Sequence, residues 1–240
     1  MALSAADLAG VTDPEKVGLF KLNDDGTLTF VGGKLVDGKL VVRLHGFSRY
    51  LLAEVRVAFN DLAGHWSRPD VELMASKYVA RGLPDGRFNP EGRVTRAEFA
   101  AMLVRAMGLK PARAPMTFRD VRGTDWHFGE LMTAVNAGII QGYDDGTFRP
   151  DAPVTREQVA AMVARALKAS GKAALSDAQV SSTLAGFADA GQVSDWARAD
   201  LALAVREGIV KGQAATAIVP RAGATRAEAA AMIARFWRKA

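Results

Sequence analysis

The chain has 240 residues, of which 49% are apolar and 24% are charged, a composition that is ordinary for a folded globular protein. It contains no cysteine, which excludes disulfides and thiolate metal sites, and it has no apolar run of about 18 residues that would predict a membrane span. The net charge of +5 lies entirely in residues 59–240, which indicates either an anionic partner or charge that serves solubility.

The N-terminal residues 1–57 have a β pattern. Short apolar runs predict strands at 17–22, 27–31, 39–44 and 49–55, and Asn23-Asp-Asp-Gly26 is a strong signal for a hairpin. We expect a meander of about four strands, which is either the end of a larger β domain or a small sheet packed on the segment after it. The first residues do not resemble a secretory signal, so an extracellular role would make this chain part of a longer protein.

From Phe59 a pattern recurs three times with fixed spacing. In every copy a Trp is followed 16 residues later by Gly, 24 later by Pro, 29 later by Thr-Arg and 36 later by Met. The Trp residues are Trp66, Trp126 and Trp196, the Gly residues are Gly82, Gly142 and Gly212, and the Thr residues are Thr95, Thr155 and Thr225. Three copies in one register identify an internal repeat, which decides the architecture. We place the copies at residues 58–109, 117–169 and 186–240.

Each copy predicts a helix, a loop and a second helix. In the second copy, we expect Asp125 to cap the first helix and Gly138 to end it. The loop turns at an Asp-Gly pair in copies one and two, and the linker 169–186 has room for a short helix. The second helix begins with a predicted capping box in every copy, formed by Thr95 and Glu98, Thr155 and Gln158, and Thr225 and Glu228.

One basic residue in each copy departs from ordinary helix chemistry. Arg96, Arg156 and Arg226 occupy the first helical position, where a cation costs about 0.3–1 kcal/mol because that end carries partial positive charge. Free N–H groups of the helix end, together with the guanidinium, would suit a carboxylate or phosphate ligand. The alternative is that each Arg pairs with an acidic residue of a neighbouring loop and stabilises the fold.

The Trp of each copy precedes this Arg by 30 residues. A flat apolar ring and a charge clamp together suit an anionic sugar, although a large ring at a helix start is more often a core anchor. The Asp-Gly turns lack the alternating oxygen ligands of a calcium loop, and His65 and His127 have no accompanying ligands. The sequence therefore predicts no metal, no cofactor and no catalytic residue.

The motifs Phe-x-Asp, Gly-Tyr-Asp-Asp-Gly-Thr-Phe-Arg-Pro and Thr-Arg-Ala-Glu resemble, in this order, the surface-layer homology (SLH) repeats of bacterial surface proteins. The resemblance covers about residues 59–238. It implies a mainly α fold in which three helix–loop–helix repeats surround a central three-helix bundle, as a three-pronged spindle, preceded here by the small β segment.

The resemblance also implies a ligand. Grooves between the prongs would bind a secondary cell-wall polysaccharide, often through a pyruvate-ketal-bearing N-acetylmannosamine whose carboxylate meets the Arg. We assign to these grooves Arg96, Arg156, Arg226, Trp66, Trp126, Trp196, Gly82, Gly142 and Gly212. Copy two reads Thr155-Arg-Glu-Gln158, which keeps the cap and the Arg. Copy three lacks the Asp-Gly turn and the Phe over residues 213–218, so we expect its groove to bind weakly or to be structural only.

The sequence thus predicts a non-catalytic anchor that holds a surface protein at the bacterial cell wall, outside the cell. Its partners would be the wall polysaccharide and neighbouring S-layer subunits, with neither membrane nor nucleic acid involved. A second hypothesis is that the chain is the C-terminal anchoring part of a secreted polysaccharide-active enzyme. Nucleic-acid binding is a remote alternative, because the second helices are Ala-rich and their Arg residues lie mostly at the ends.

Overall fold

The computed structural model describes residues 9–37, 39–42, 44, 46–110, 118–214 and 216–239. The chain divides into two compact units, with the boundary between Phe88 and Asn89. The first unit contains the described strands and one α-helix, and the second contains the remaining described α-helices. The prediction of a mainly α fold preceded by a small β segment is confirmed. The central three-helix bundle stays a prediction, because its helices would come from both units.

The strands of the first unit form two small antiparallel sheets. β1 (Val17–Leu22) lies between β2 (Leu28–Gly32) and β5 (Tyr50–Glu54), while β3 (Lys34–Val36) pairs with β4 (Lys39–Val41) as a separate hairpin. A meander would pair each strand with the next one in sequence. That part of the prediction is wrong, since the last strand returns to the first.

The central place of β1 follows from its composition. The residues from Val17 to Phe20 are all buried, so both faces of this strand need cover, which an edge position would not give. The predicted turn at Asn23–Gly26 joins β1 to β2, with Gly26 at a left-handed φ of 81°. The Phe20 ring lies 5.6 Å from the Tyr78 ring, just beyond α1 (Arg68–Ser76). The sheet is therefore packed on the start of the first repeat.

In the second unit, helices of successive repeats pack on one another. The second helix of repeat one packs on the first helix of repeat two, and the same relation holds between repeats two and three. A short helix occupies the predicted position in the linker before repeat three. The described helices are α2 (Arg96–Ala106), α3 (Phe128–Asn136), α4 (Arg156–Ala169), α5 (Asp177–Leu184), α6 (Asp195–Arg206) and α7 (Arg226–Lys239).

The helix ends show which of the predicted capping residues form caps. All three second helices begin at the Arg after the Thr, and in each the Thr hydroxyl and the acidic or amide side chain form a reciprocal capping box. Asp125, in contrast, does not cap α3, because the N-cap is His127. The Asp125 carboxylate instead accepts the Arg122 N–H at 2.7 Å. Tyr78 adopts the left-handed φ of 56° that Gly138 provides in repeat two.

Across the described ranges, no helix combines the length and the apolar character that crossing a membrane requires. Most of the linker between repeats one and two, residues 111–117, lies outside the described residues, as does Ala215 in the loop of repeat three.

Candidate functional site

Short extended segments just before α2, α4 and α7 form a closed ring of backbone hydrogen bonds. The Val94 N–H donates to the Ala224 carbonyl at 3.1 Å, and the Ala224 N–H donates to the Val154 carbonyl at 2.9 Å. The Val154 N–H completes the ring by donating to the Val94 carbonyl at 3.1 Å. Each repeat thus donates one bond and accepts another, which sets the starts of the three second helices beside one another.

The first N–H groups of these helices are already used. Those of Arg96 and Ala97 donate to the carbonyls of Ala152 and Pro150, both at 3.0 Å. The equivalent bonds at the other two helices run from Arg156 to Ala222, Glu157 to Pro220, Arg226 to Gly92 and Ala227 to Pro90. The expectation of free backbone donors is wrong, because another repeat supplies the acceptors. A ligand here would meet side chains instead.

The first arginine site consists of Arg96, Gln158 and the loop 141–149. Arg96 leaves its own repeat and enters the loop of the next one, where only 5% of its surface stays exposed. Its Nε donates to the Phe148 carbonyl at 2.9 Å and its Nη2 to the Gln141 carbonyl at 3.3 Å. The structure thus pairs an Arg of one repeat with the loop of another, a relation that the spacing within one copy does not reveal.

An aromatic ring contacts two cations in this site. The guanidinium carbons of Arg96 and Arg149 lie 4.8 Å and 4.0 Å from the centroid of the Tyr143 ring. Arg149 also forms an ion pair with Asp145 at 3.1 Å, whereas Arg96 has no ion pair within the described part of the chain. Burial lowers the pKa of Arg96, and nearby Tyr143 opposes that shift.

Gln158, the third residue of α4, contacts the same Tyr143 side chain as Arg96. Its Oε1 accepts the Thr155 N–H at 3.2 Å as part of the capping box, and its Nε2 donates to the Tyr143 hydroxyl at 3.0 Å. The amide is thus committed to the cap and to the ring, and it brings no negative charge to the buried guanidinium.

The second arginine site consists of Arg156, Glu228 and residues 211–214 and 216–219. Arg156 is 2% exposed, and its Nε and Nη2 donate to the carbonyls of Ile218 and Lys211, both at 2.7 Å. Its Nη1 forms an ion pair with Glu228 Oε1 at 2.7 Å, and the Gln213 amide donates to the same oxygen at 2.8 Å. Burial lowers the pKa of Arg156, and the Glu228 carboxylate opposes that shift.

The third Arg behaves like the second. Arg226 Nη1 lies 3.0 Å from Glu98 Oε1, while the other oxygen of Glu98 caps α2 through the Thr95 N–H. The alternative in which the Arg stabilises the fold by an ion pair therefore describes Arg156 and Arg226, although the partner is a helix residue and not a loop residue. It does not describe Arg96.

Two aspartates that the sequence showed only as part of the Phe-x-Asp motif hold the loops in place. The carboxylate of Asp120 accepts the N–H groups of Phe148 and Arg149 at 2.8 and 2.7 Å. Asp189 does the same for Ile218 and Val219 at 2.9 and 2.7 Å. In each loop the second of these residues has a left-handed φ, 58° at Arg149 and 54° at Val219, and so needs this support.

The three loop glycines have a packing reason to be glycine. A Cβ on Gly142 would lie 2.7 Å from the Thr147 carbonyl oxygen and 2.9 Å from Phe118 Cδ1, which is too close for any side chain. A Cβ on Gly212 would lie 2.8 Å from the Ala217 carbonyl oxygen, and one on Gly82 would lie 3.1 Å from the Arg87 carbonyl oxygen. Their contact with a ligand remains a prediction.

The repeat tryptophans are not core anchors. Trp66, Trp126 and Trp196 are 57%, 59% and 55% exposed. The interpretation of these large rings as core anchors is therefore wrong.

The two histidines beside the tryptophans differ in their partners. Next to Trp126, His127 is buried and its Nδ1 has no hydrogen-bond partner among the described residues, whereas His65 Nδ1 lies 2.8 Å from Ser67 Oγ. No group of three or more His, Asp or Glu residues in the described ranges could hold a metal ion.

The comparisons with known proteins agree with the repeat. The family model for the S-layer homology domain matches residues 58–100, 117–160 and 186–230. The amylopullulanase of Thermoanaerobacterium thermosulfurigenes is 34% identical over 230 residues, which are 95% of this chain and 12% of that protein.

Two further relatives have names that refer to surfaces and anchoring. The surface-layer 125 kDa protein of Lysinibacillus sphaericus is 31% identical over 180 residues, 74% of this chain and 14% of that protein. The cellulosome-anchoring protein of Acetivibrio thermocellus is 30% identical over 159 residues, 65% of this chain and 34% of that protein. The chain therefore spans about a third or less of the length of these relatives.

Proposed function

Because this chain belongs to the S-layer homology family, with its three domains between residues 58 and 230, we propose that it holds a surface protein non-covalently at the bacterial cell wall. The partner is an anionic secondary cell-wall polysaccharide, and binding takes place outside the cell. The chain itself performs no catalysis; it is the anchoring region, and S-layer subunits beside it are further partners.

The exposed tryptophans carry this proposal. An indole ring more than half in contact with water, at the same point of all three repeats, leaves apolar surface uncovered that a core would otherwise bury. The flat face of such a ring fits the apolar C–H face of a sugar, and three copies along one chain fit a polymer whose units repeat. Several weak contacts of this kind add up through effective concentration.

Charge supports the anionic nature of the polysaccharide. The net excess of basic side chains falls in residues 59–240, which contain the repeats. The buried guanidinium of Arg96 supplies a local cation, and an Arg fork matches a carboxylate well. We propose that the carboxylate is that of a pyruvate ketal on the sugar.

The test is binding to purified cell-wall sacculi, before and after chemical removal of the secondary polymer. Changing Trp66, Trp126 and Trp196 together to Ala should weaken binding at least about tenfold, because each ring offers a large contact face, while exposed side chains of this kind contribute little to stability. Phe47→Ala is the matched control, since Phe47 is fully exposed outside the repeats. Binding that survives both polymer removal and the triple change would refute the proposal.

A second candidate concerns the protein to which the anchor belongs. The amylopullulanase matches along 95% of this chain, which includes most of the N-terminal β segment, and an exoglucanase of Acetivibrio thermocellus is 34% identical over 177 residues. The anchored protein would then be a polysaccharide-degrading enzyme with its catalytic domain elsewhere. Assaying wall-bound natural protein for hydrolysis of pullulan, xylan and cellulose tests this; activity on none of them would contradict it.

A further inference from the structure

We propose that Gln158 makes the first arginine site the one that takes a ligand carboxylate, whereas Glu98 and Glu228 fill the other two sites from within the chain. This inference rests on the proposed function and names which site recognises the charged group. It turns on a single side chain, since the same helix position holds Glu in repeats one and three and Gln in repeat two.

The geometry of the guanidinium groups shows what is missing at the first site. Arg156 and Arg226 each meet the third helical residue of another repeat, whereas Arg96 and Gln158 both contact the Tyr143 side chain. Nη1 of Arg156 and of Arg226 lies 2.7 and 3.0 Å from a carboxylate oxygen of that helical residue. Nη1 of Arg96 has no acceptor in the described part of the chain, although Nε and Nη2 are held by loop carbonyls. The group is therefore oriented in advance, with the Nη1 nitrogen left without an acceptor.

Burial makes that missing partner costly. Arg96 is 5% exposed, so much of its hydration is lost without an opposite charge in return. A ligand carboxylate placed at Nη1 would restore the ion pair that Arg156 and Arg226 already have. The ligand would thus bind where the chain leaves a buried cation uncompensated, and it would gain little where Glu98 or Glu228 must first be displaced.

The neighbouring side chains favour the same site. Tyr143 is half-buried, and it presents a ring braced by Arg149 and by the Gln158 amide. In the second site, Gln213 takes the place of Tyr143 and donates to Glu228, which ties the loop to the internal carboxylate. The first site can therefore offer a sugar both a charge partner and an aromatic edge.

Reciprocal exchanges test the inference without disturbing the caps. Both residue types already complete a capping box in this chain, Gln in α4 and Glu in α2, so Gln158→Glu and Glu228→Gln should keep the fold. The probe is the synthetic methyl glycoside of N-acetylmannosamine 4,6-pyruvate ketal, titrated by calorimetry. The 4,6-isopropylidene analogue, in which a methyl group replaces the carboxylate, is the neutral control.

We expect Gln158→Glu to lower affinity for the ketal at least about tenfold, the scale of one hydrogen bond to a charged group. Glu228→Gln should leave that affinity unchanged or add a second, weaker site. Equal affinity of Gln158→Glu and the wild type, or binding of the neutral analogue as tightly as the ketal, would overturn the inference. Failure of the wild type to bind the ketal would overturn it too, whereas sacculus binding by the wild type reports on the proposed function separately.

Discussion

The first and second arginine sites share one backbone design and differ in how they treat charge. Each places a buried Arg against two loop carbonyls of the next repeat, and each anchors that loop with an Asp. The second site then neutralises its Arg with Glu228, while the first presents the neutral Gln158. The difference teaches that a repeat can keep its fold and yet change the charge near a buried Arg by exchanging one side-chain atom.

The largest expected effect comes from removing the internal carboxylate. Glu228→Ala leaves Arg156 buried without its partner and should lower the free energy of unfolding by about 3–5 kcal/mol. Gln158→Ala removes only a neutral cap and a bond to Tyr143, so its cost should be about 1 kcal/mol. Urea unfolding of the two variants measures both. Equal losses would mean that the two sites do not differ in charge compensation.

The next effect concerns the loop anchors. Asp120→Ala leaves two backbone N–H groups without their acceptor and should cost about 2–3 kcal/mol, with Asp189→Ala close to it in the second site. Hydrogen exchange at residues 148 and 149, or 218 and 219, would report the local opening. Asp144→Ala is the control, because Asp144 is exposed in the same loop and should change stability by less than about 0.5 kcal/mol. Slow exchange that persists in the anchor variants would contradict this role.

A stabilising substitution tests the left-handed backbone position that the two loops share. Val219 is β-branched and has a φ of 54°, whereas repeat one places Asn89 at the equivalent position with a φ of 57°. Val219→Asn should raise the free energy of unfolding by about 1 kcal/mol, because Asn tolerates the left-handed region better than Val. Arg149→Asn, the same exchange in the first site, should show no gain since it removes the contact with Tyr143. Thermal unfolding decides, and a lower melting temperature for Val219→Asn would refute the account.

The smallest effect is a titration. Hydrogen bonds from the Thr147 side chain and backbone lower the pKa of Asp145 from 3.8 to about 2. A lowered carboxyl pKa stabilises the folded loop above about pH 3.8, and that contribution is lost as the pH falls through about 2. The NMR shift of the Thr147 amide should therefore stay constant from pH 7 to 4 and change only near pH 2. Residues 213–217 contain no acidic residue, so the second loop should lack this step.

Local chemistry made part of the fold predictable. The second helices begin where the Thr and the Glu or Gln three residues later can close a capping box, and this signal involves four adjacent residues only. The hairpin at Asn23–Gly26 was predictable for the same reason. The partners of Arg96 and Arg156 were not, because they depend on which repeat lies next to which, and sequence spacing within one copy does not contain that information.

Competition between distant segments explains the other errors. The prediction of a meander was wrong because the buried strand residues Val17–Phe20 need neighbouring strands on both sides. The sequence does not show that β5 is one of these neighbours. Trp66 and its counterparts looked like core residues by size, yet they are exposed, while small residues such as Ala100 and Ala101 are buried. The sequence showed Gln158 only as a cap, and only the structure shows that it contacts Tyr143, the ring that Arg96 also contacts.

The ring formed by Val94, Val154 and Ala224 has a consequence for evolution by duplication. Each segment gives one hydrogen bond and takes one, so the set is complete at three members. A fourth copy would find its donor and acceptor positions occupied, and a pair of copies would leave one of each unmet. The complete unit is therefore a set of three repeats. We expect longer proteins of this kind to have gained whole sets of three repeats or unrelated segments. Because a closed ring has no first member, any of the three repeats could come first in the chain.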